Sequence, residues 1–580
     1  MKNLIKEQEL KLKNILQDLG YETEHVTINI SSRPDLGQYQ FNDAMSLAKK
    51  YGKNPRIIAE EIVNELKKNP VWSEVSIAGP GFINLTFNND VLLDFVNNDI
   101  LAPIVNNNPK TIVVDYGGAN VAKALHVGHL RAANIGEAIK RLLKYYGHKV
   151  IGDAHLGDWG LPMGQVILEL KHRYPDSKYF DENHVGEYPE DIKITNADLE
   201  EIYPIAAMKT KEDKDFYKEA KDITAKLQAG HPGYTALWKY FVKLSVDNIK
   251  YLYDKLNVDF ELWYGESDAK PYVEPSIELM KNQDLAKMSE GALIIEVKTP
   301  EDNKPMPPVM LKKSDGSDGY HVTDVATIYG RMEENNPDEI WYIVDKRQNL
   351  HFEQIFRAVR KSNIVPEDIK LIHVGYGTIN GPDGKPFKTR DGDAMSLLGM
   401  MDMIKTEAIS KVVDHIPEKE KEVVADMVAM AALKYADIVP NVMTDYICDP
   451  AMFTEMTGKT GPYLQYTIVR INSLLEKAKD KDLKIGPITK INNSLELNVL
   501  LNIINTPIAM NKSLEAKSLN EIADHLYNLA NAYNNFYANS RILEEADIEL
   551  RTSWLGLSKL VSDTMLMLLN ILAIDVPDRM

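Results

Sequence analysis

Apolar residues recur along this chain with two rhythms, and the change from one to the other marks its organisation. Ile5, Leu12, Ile15, Leu16 and Leu19 share one helical stripe, and Ile58, Ile62 and Leu66 recur at i, i+4 spacing on another. Residues 75–87 (VSIAGPGFINLTF) instead hold two short apolar runs around Gly79-Pro80-Gly81, the signal of a hairpin or turn. These patterns predict a small α+β domain over residues 1–107, closed by the linker-like tract LAPIVNNNPK (101–110). Residues 111–116 (TIVVDY) form a short run of apolar and β-branched side chains, as a buried parallel strand requires. The segment LRAANIGEAIKRLLKYYG then carries Ile135, Ala138, Ile139 and Leu142 on one helical face and stops at Gly147, and KVIGDAHL reads as the next strand. Strand, glycine-rich loop, helix and strand within ~45 residues make a βαβ unit, so the expected sheet is parallel, Rossmann-like and doubly wound, with its ligand beyond the carboxyl ends of the strands.

IWYIVD (340–345) and KLIHVGY (370–376) add strands to that sheet, which places an α/β domain over residues 108–400. Residues 160–265 are charged and helical in pattern and read as an insertion into it. From about residue 400 the pattern is helical with no strong strand signal, which predicts connecting helices over 401–455 and an all-α bundle over 456–580.

Composition narrows the class. The 580 residues are 44% hydrophobic and 26% charged, the usage of a globular multidomain chain able to bury several cores. With 67 Lys plus Arg against 85 Asp plus Glu, the net charge of −18 argues against indiscriminate nucleic-acid binding, while leaving room for a local basic surface. EKEKE (418–422) is a solvated helix face on this reading. Cys448 is the one cysteine, so neither a disulfide framework nor a cysteine-rich structural zinc is expected. The start MKNLIKEQELKLK has no apolar h-region and no uninterrupted apolar stretch approaches ~18 residues, so the expectation is a cytoplasmic protein with no membrane partner.

Candidate chemistry sits in two loops. His126-Val127-Gly128-His129 lies where a strand hands over to a helix; two imidazoles at i, i+3 around a glycine would let a nucleotide approach the backbone while both rings reach its phosphates. An ordinary first helical turn would look the same, and a zinc pair lacks a third ligand in the HExxH pattern, so no metal ligands are assigned. Gly384-Lys385-Pro386-Phe387-Lys388-Thr389-Arg390 places three cations in six residues after the last sheet strands, suited to polyphosphate, although a solvated basic loop would also read so.

Together, in this order and roughly 260 residues apart, the two features resemble the HIGH and KMSKS signatures of class I aminoacyl-tRNA synthetases. The surrounding residues resemble the arginyl-tRNA synthetase family in particular: Ala119-Asn120-Val121-Ala122-Lys123, GDWG (157–160), Gly265-Glu266-Ser267, DGYHVTD (318–324) and GKPFKTR. AKKYGKNPRIIAEEI (48–62) and AGPGFINL (78–85) resemble that family's extra N-terminal domain, and TGPYLQYTIVRI (460–471) with the ending DVPDRM (575–580) its anticodon-binding bundle.

The resemblance implies that ATP and arginine form arginyl-adenylate and pyrophosphate, and that a ribose hydroxyl of the terminal adenosine of tRNA(Arg) then takes the arginyl group. His126, His129 and Lys388 become the expected catalytic residues; Lys123, Gly128 and Lys385 complete the ATP site, with Mg2+ screening the phosphates. A guanidinium is planar, always charged and carries five donors, so its pocket wants carboxylates. Glu266, Asp324 and Tyr320 match the family's side-chain pocket, and Asp115, Asn120 and Gln348 match positions near the α-amino and carboxylate groups of arginine. Such a pocket rejects analogues lacking those donors by about 10⁴ to 10⁵, so no editing domain is expected. The resemblance puts Asn42, Phe82 and Asn84 near the tRNA D-loop and Tyr463, Tyr466, Arg470, Tyr537 and Met580 near the anticodon. It implies a monomer with no obligatory protein partner, whose amino-acid activation needs bound tRNA.

Other class I synthetases, such as those for cysteine, glutamate or glutamine, share both signatures, and the acidic pocket argues for arginine against them. Intact His126, His129 and Lys388 argue against a non-catalytic tRNA-binding relative, and the long helical C-terminus against a nucleotidyltransferase. The chain departs from the family at Asp115, where Glu is common, at Gly118-Ala119, where Ser-Pro is common, and at Pro386-Phe387 in place of Met-Ser.

Overall fold

In the computed structural model, which describes residues 1–188, 192–319, 321–385, 387, 395–411 and 416–580, the chain forms two units. Met1–Val105 cluster with Leu464–Ala516 and Glu521–Leu568, and Asn106–Tyr463 cluster with Lys517–Asn520 and Leu569–Met580.

In the first unit, helix Leu4–Asp18 starts at Asn3, whose side chain accepts from the Lys6 amide at 3.0 Å, and buries Leu4, Ile5, Leu12 and Leu16. Helix Pro55–Leu66 begins on an Asn54 cap followed by proline and buries Ile58, Ile62 and Leu66. The antiparallel sheet runs in the order Ile28–Ile30, Tyr39–Phe41, Phe82–Phe87, Trp72–Ala78. Its hairpin pairs Ala78 with Phe82 across Gly79 and Gly81, whose φ angles of 56° and 149° favour glycine. Helix Ser494–Ile504, helix Thr506–Ala516 and most of helices Gly461–Asp480, Asn520–Asn539 and Ile548–Ile571 complete this unit. Asn97 ties the two parts through reciprocal bonds with the Ile488 backbone at 2.8 and 2.9 Å.

The second unit is built on four parallel strands in the order Lys370–Tyr376, Glu339–Asp345, Thr111–Tyr116, Lys149–Asp153. Ile112, Val113 and Val114 are fully enclosed, as the unbroken apolar run requires. From the Thr111 strand the chain crosses through helix Val127–Tyr145 to the neighbour on one side, and the later strands add on the other. That reversal opens a crevice at the carboxyl ends of the two central strands.

The next strand is shorter than the KVIGDAHL pattern predicts, ending at Asp153. Beyond it Ala154 and Leu156 donate instead to Leu262 and Tyr264, because the chain returning from the insertion takes the place of a sheet neighbour. The insertion holds helices Leu161–Arg173, Asn196–Glu212, Lys214–Gln228 and Pro232–Lys255 around a core of Met163, Ile167, Leu199, Ile223, Leu237 and Phe241. An antiparallel sheet of Ala286–Ser289, Ala292–Ile295 and Val309–Lys312 was not legible in the pattern; its strands are four residues long and turn through Glu290-Gly291, both at positive φ. The helical C-terminal reading also misses the two-residue strand Tyr446–Ile447, which pairs with Ile379–Asn380. No helix among the described residues is long and apolar enough to cross a membrane.

Candidate active site

Helix Val127–Tyr145 begins in the crevice, and its first turn is closed by the two histidines. His126 is the N-cap, its Nδ1 accepting from the Gly128 amide at 3.0 Å, while the His129 Nδ1 accepts from the His126 amide at 3.1 Å. This is a capping box made from imidazoles. A Cβ at residue 128 would lie 2.8 Å from the His126 ring, so glycine lets the ring fold over the turn. The two rings sit 4.1 Å apart. Burial, helped by the Lys123 and Arg347 charges, lowers the His126 pKa below the usual imidazole range, and burial beside His126 brings that of His129 to about 3. Both rings are therefore neutral near pH 7, and because each Nδ1 accepts a backbone N–H, each carries its proton on Nε2. The result is a pair of uncharged donors at a helix N-terminus.

The far end of the basic loop returns to this turn. Val127 donates to the Met395 carbonyl at 3.1 Å, Leu397 donates to Leu125 at 2.8 Å, and the loop's near end is held where Phe387 donates to Ile379 at 3.3 Å. Lys385 is exposed, its amide donating to Asp383 at 3.1 Å. Lys388 and Tyr320 lie outside the described residues. Lys123 is exposed in the loop before the histidines, and Asn120 lies in the same loop with its Oδ1 against Gly157, where a Cβ would come within 2.2 Å. Gln348 ends the short turn Lys346–Gln348 and faces solvent.

The acids form a wall across the crevice. Asp115, at the end of the Thr111 strand, is buried and accepts from Arg331 Nη2 at 2.6 Å; the same nitrogen reaches Asp153 at 2.5 Å, and Nη1 reaches the Tyr342 hydroxyl at 3.0 Å. One buried guanidinium thus joins three adjacent strands. Burial pushes the Asp153 carboxyl up, but Arg331 and His155 outweigh it and hold it at about 2, below its usual 3.8. Asp324 sits in the first turn of helix Val322–Asn335, 2.8 Å from His351 Nε2. Glu266 opens the turn Glu266–Ala269, anchored by its amide to the Leu156 carbonyl at 2.9 Å. Burial first, then the negative charges of Asp324 and Asp158, raise the Glu266 pKa to about 7 against the opposing pull of His155. A buried acid raised in this way by its acidic neighbours is short of a cation. Beside them a cavity of about 260 Å³ is lined by His155, Tyr264, Asp268, Tyr272, Arg331 and Glu334.

Arg331, His155, His351 and Arg347 were not singled out by sequence. Arg331 lies seven residues after Asp324, two turns along the same helix face, which is the one signal that could have found it.

In the first unit, Arg470 lies over the Tyr466 ring at 4.6 Å and the Tyr537 ring at 5.4 Å, and donates to Asn534 at 2.9 Å, so three of the expected anticodon residues share one cluster. Tyr463 and Met580 belong to the second unit. Phe82 is half-buried on the sheet, and the Asn84 side chain is buried and accepts from Gln40 at 2.9 Å. The Asn42 Oδ1 is enclosed with no hydrogen-bond partner among the described residues.

Comparison with known proteins matches three families: tRNA synthetases class I (R), catalytic domain, over residues 92–449; arginyl tRNA synthetase N terminal domain over 6–87; and DALR anticodon binding domain over 464–580. The chain is 42% identical to the arginine–tRNA ligase of Alkaliphilus oremlandii, over 100% of both chains. It is likewise 42% identical to that of Agathobacter rectalis, over 100% of this chain and 99% of the relative. Among solved structures, the arginyl-tRNA synthetase of Plasmodium falciparum shares the fold with a TM-score of 0.83 at 24% identity, and that of Thermus thermophilus with 0.81 at 20%, each over 100% of both chains.

Proposed function

The chain belongs to the arginyl-tRNA synthetases, class I ligases that charge tRNA with arginine, and we propose the following division of that work among its residues. The arginine carboxylate oxygen attacks the α-phosphorus of ATP, the bond to the β-phosphate oxygen breaks and pyrophosphate leaves. A ribose hydroxyl of the tRNA terminal adenosine then attacks the arginyl carbonyl, and AMP leaves. His126 and His129 donate Nε2–H to the α-phosphate oxygens as charge builds there, with no proton transfer of their own. Lys388 and Lys385 steady the departing pyrophosphate; Lys123 and Gly128 border the same phosphates. Glu266 and Asp324, with Tyr320, take the substrate guanidinium, while Asp115, Asn120 and Gln348 flank its α-amino and carboxylate groups.

The observation that carries the substrate choice is Glu266, a largely buried acid whose pKa is raised by burial and by the charge of Asp324 from a different element. Among the described residues, Asp115, Asp153 and His155 cluster as metal ligands could, but the Arg331 guanidinium already holds both carboxylates, so these residues do not fit Mg2+. We assign Mg2+ to the phosphates of ATP itself.

Residues 1–107 serve the D-loop on this reading, 108–400 the chemistry, 401–455 connect, and 456–580 serve the anticodon, in a cytoplasmic monomer. The test is amino-acid-dependent exchange of pyrophosphate into ATP, across the amino acids, with and without tRNA. Exchange with arginine that requires tRNA is expected; exchange with another amino acid would overturn the pocket.

Asp324→Asn should raise the KM for arginine roughly 10- to 100-fold, the loss of a charge-assisted pair, and leave that for ATP within about twofold. An effect on ATP alone would remove Asp324 from the pocket. Glu266 must be ionised to meet a cation, so below its pKa of about 7 it first has to lose a proton. The KM for arginine should therefore fall as pH rises from 6 to 8 and level off above, and Glu266→Gln should flatten that slope.

A further inference from the structure

The first unit holds a groove of about 690 Å³ that the reading above leaves unused. One wall is helix Ser494–Ile504 with its C-cap, where Asn498, Asn502 and the capping Asn505 recur at i, i+4 and i+7. The facing wall is helix Asn520–Asn539, with Asn528, Asn531 and Asn535 at i, i+3 and i+7. The segment from Ile30 to Tyr39 closes one side; the Tyr39 hydroxyl donates to Asn505 Oδ1 at 2.8 Å, so the N-terminal sheet and the helices share this site.

None of the sixteen lining residues is Asp, Glu, Lys or Arg, although 26% of the chain is charged. His525, at the base, is neutral near pH 7, because burial lowers its pKa to about 4 and Thr506 lies 2.9 Å from its Nε2. Asparagine is a poor helix former, so two aligned rows of it cost helix stability that alanine would supply. A groove without cations does not hold a free anion or a phosphate. Lacking aromatic or arginine anchors on its helical walls, it is also unlike the centre of a protein interface. What it offers is a double row of amides, beside the apolar Ile30, Pro34, Leu497 and Leu501; Asn502 Nδ2 already donates to the Asn498 carbonyl at 2.8 Å and Asn505 Oδ1 accepts from Tyr39, which orients those two side chains.

That combination matches an unstacked nucleotide, whose base edge presents donors and acceptors together and whose ring faces are apolar. We propose that this groove takes an unpaired nucleotide of the tRNA and reads its base edge through the two asparagine rows. The inference rests on the tRNA-ligase reading and adds a contact site to it.

The test is binding of a tRNA(Arg) transcript by the full chain, wild type against Asn502→Ala/Asn528→Ala, over a salt series, with chemical probing of base edges on the bound tRNA. Alanine favours both helices, so the double variant should keep its folding midpoint. Expected are roughly tenfold weaker binding, an unchanged dependence on salt because no phosphate contact is lost, and loss of protection at unpaired nucleotides. Unchanged affinity and protection would overturn the proposal and return the groove to a polypeptide ligand or to none. A reduced salt slope would also overturn it, since that reports phosphate contacts. Wild-type protein that failed to prefer tRNA(Arg) over a transcript for another amino acid would instead fail the family reading, which this arm separates from the groove.

Discussion

His129→Ala is expected to slow arginine-dependent pyrophosphate exchange by about 10²- to 10³-fold while changing the KM for arginine and for ATP only a few-fold. The expectation follows from the state of the ring. Its Nδ1 is committed to the His126 amide, its pKa lies at about 3, and its available atom is a neutral Nε2–H at the mouth of a helix. A donor so fixed needs no reorganisation when charge builds on the α-phosphate, and its loss falls on the transition state. The alanine variant also loses the capping acceptor, so His129→Gln is the control: glutamine at this position can accept from the His126 amide and preserve the turn. Glutamine also keeps an N–H donor, so the discriminating variant is His129→Glu, which can cap but not donate: full activity there would mean that the histidine serves the helix alone. A rate loss with an equal rise in the KM for ATP would make it a binding group. Since both rings stay neutral, neither should contribute an inflection near pH 6.5 to the rate profile.

Arg331→Met should destabilise the second unit by about 3–5 kcal/mol, the usual consequence of stranding buried charges. Asp115 and Asp153 face the same guanidinium nitrogen, and without it two carboxylates are left together in the interior. Burial already pushes the Asp115 carboxyl up in wild type despite Arg331, so the favourable pH response there belongs to Asp153. In wild type Asp153 is held at about 2, below its usual 3.8, so its contribution is present above pH 4 and lost as pH falls through that window. In the variant both acids would favour the protonated form, so the stability deficit should shrink as pH is lowered from 7 to 4. Chemical denaturation across that range measures both. A variant as stable as wild type at pH 7 would mean that water penetrates the cluster, and a pH-independent deficit would make the loss one of packing. Arg331→Lys should recover part of the stability, since a lysine keeps the charge but not the planar fork.

Much of this architecture can be read from residue patterns because those patterns are local. The Ile58, Ile62 and Leu66 stripe, the Thr111–Tyr116 run and the Gly79-Pro80-Gly81 turn each carry their own physical reason, and the structure forms an element at each. The misses are non-local. KVIGDAHL continues as an extended chain past Asp153, but its partner there arrives from residues 262–264, which no short-range pattern announces. Arg331 reads as the polar edge of a helix in YGRMEEN until side chains from three strands are seen to converge on it. Asp115 was assigned to the substrate by its match to the family, and the same match could not show that an internal arginine contacts it first.

Among the described residues, the hydrogen bonds that join the segment after the basic loop to the turn of the histidines are main-chain ones: Val127 to Met395 and Leu397 to Leu125. A carbonyl is present whatever side chain is attached, and an amide N–H at every residue but proline, so these fastenings do not depend on how the basic loop is spelled. A departure within the motif, such as Pro386-Phe387 for Met-Ser, leaves those four residues untouched. Drift in this motif is therefore cheap in a way that drift in His126-Val127-Gly128-His129 is not, since there the side chains are themselves the fastenings.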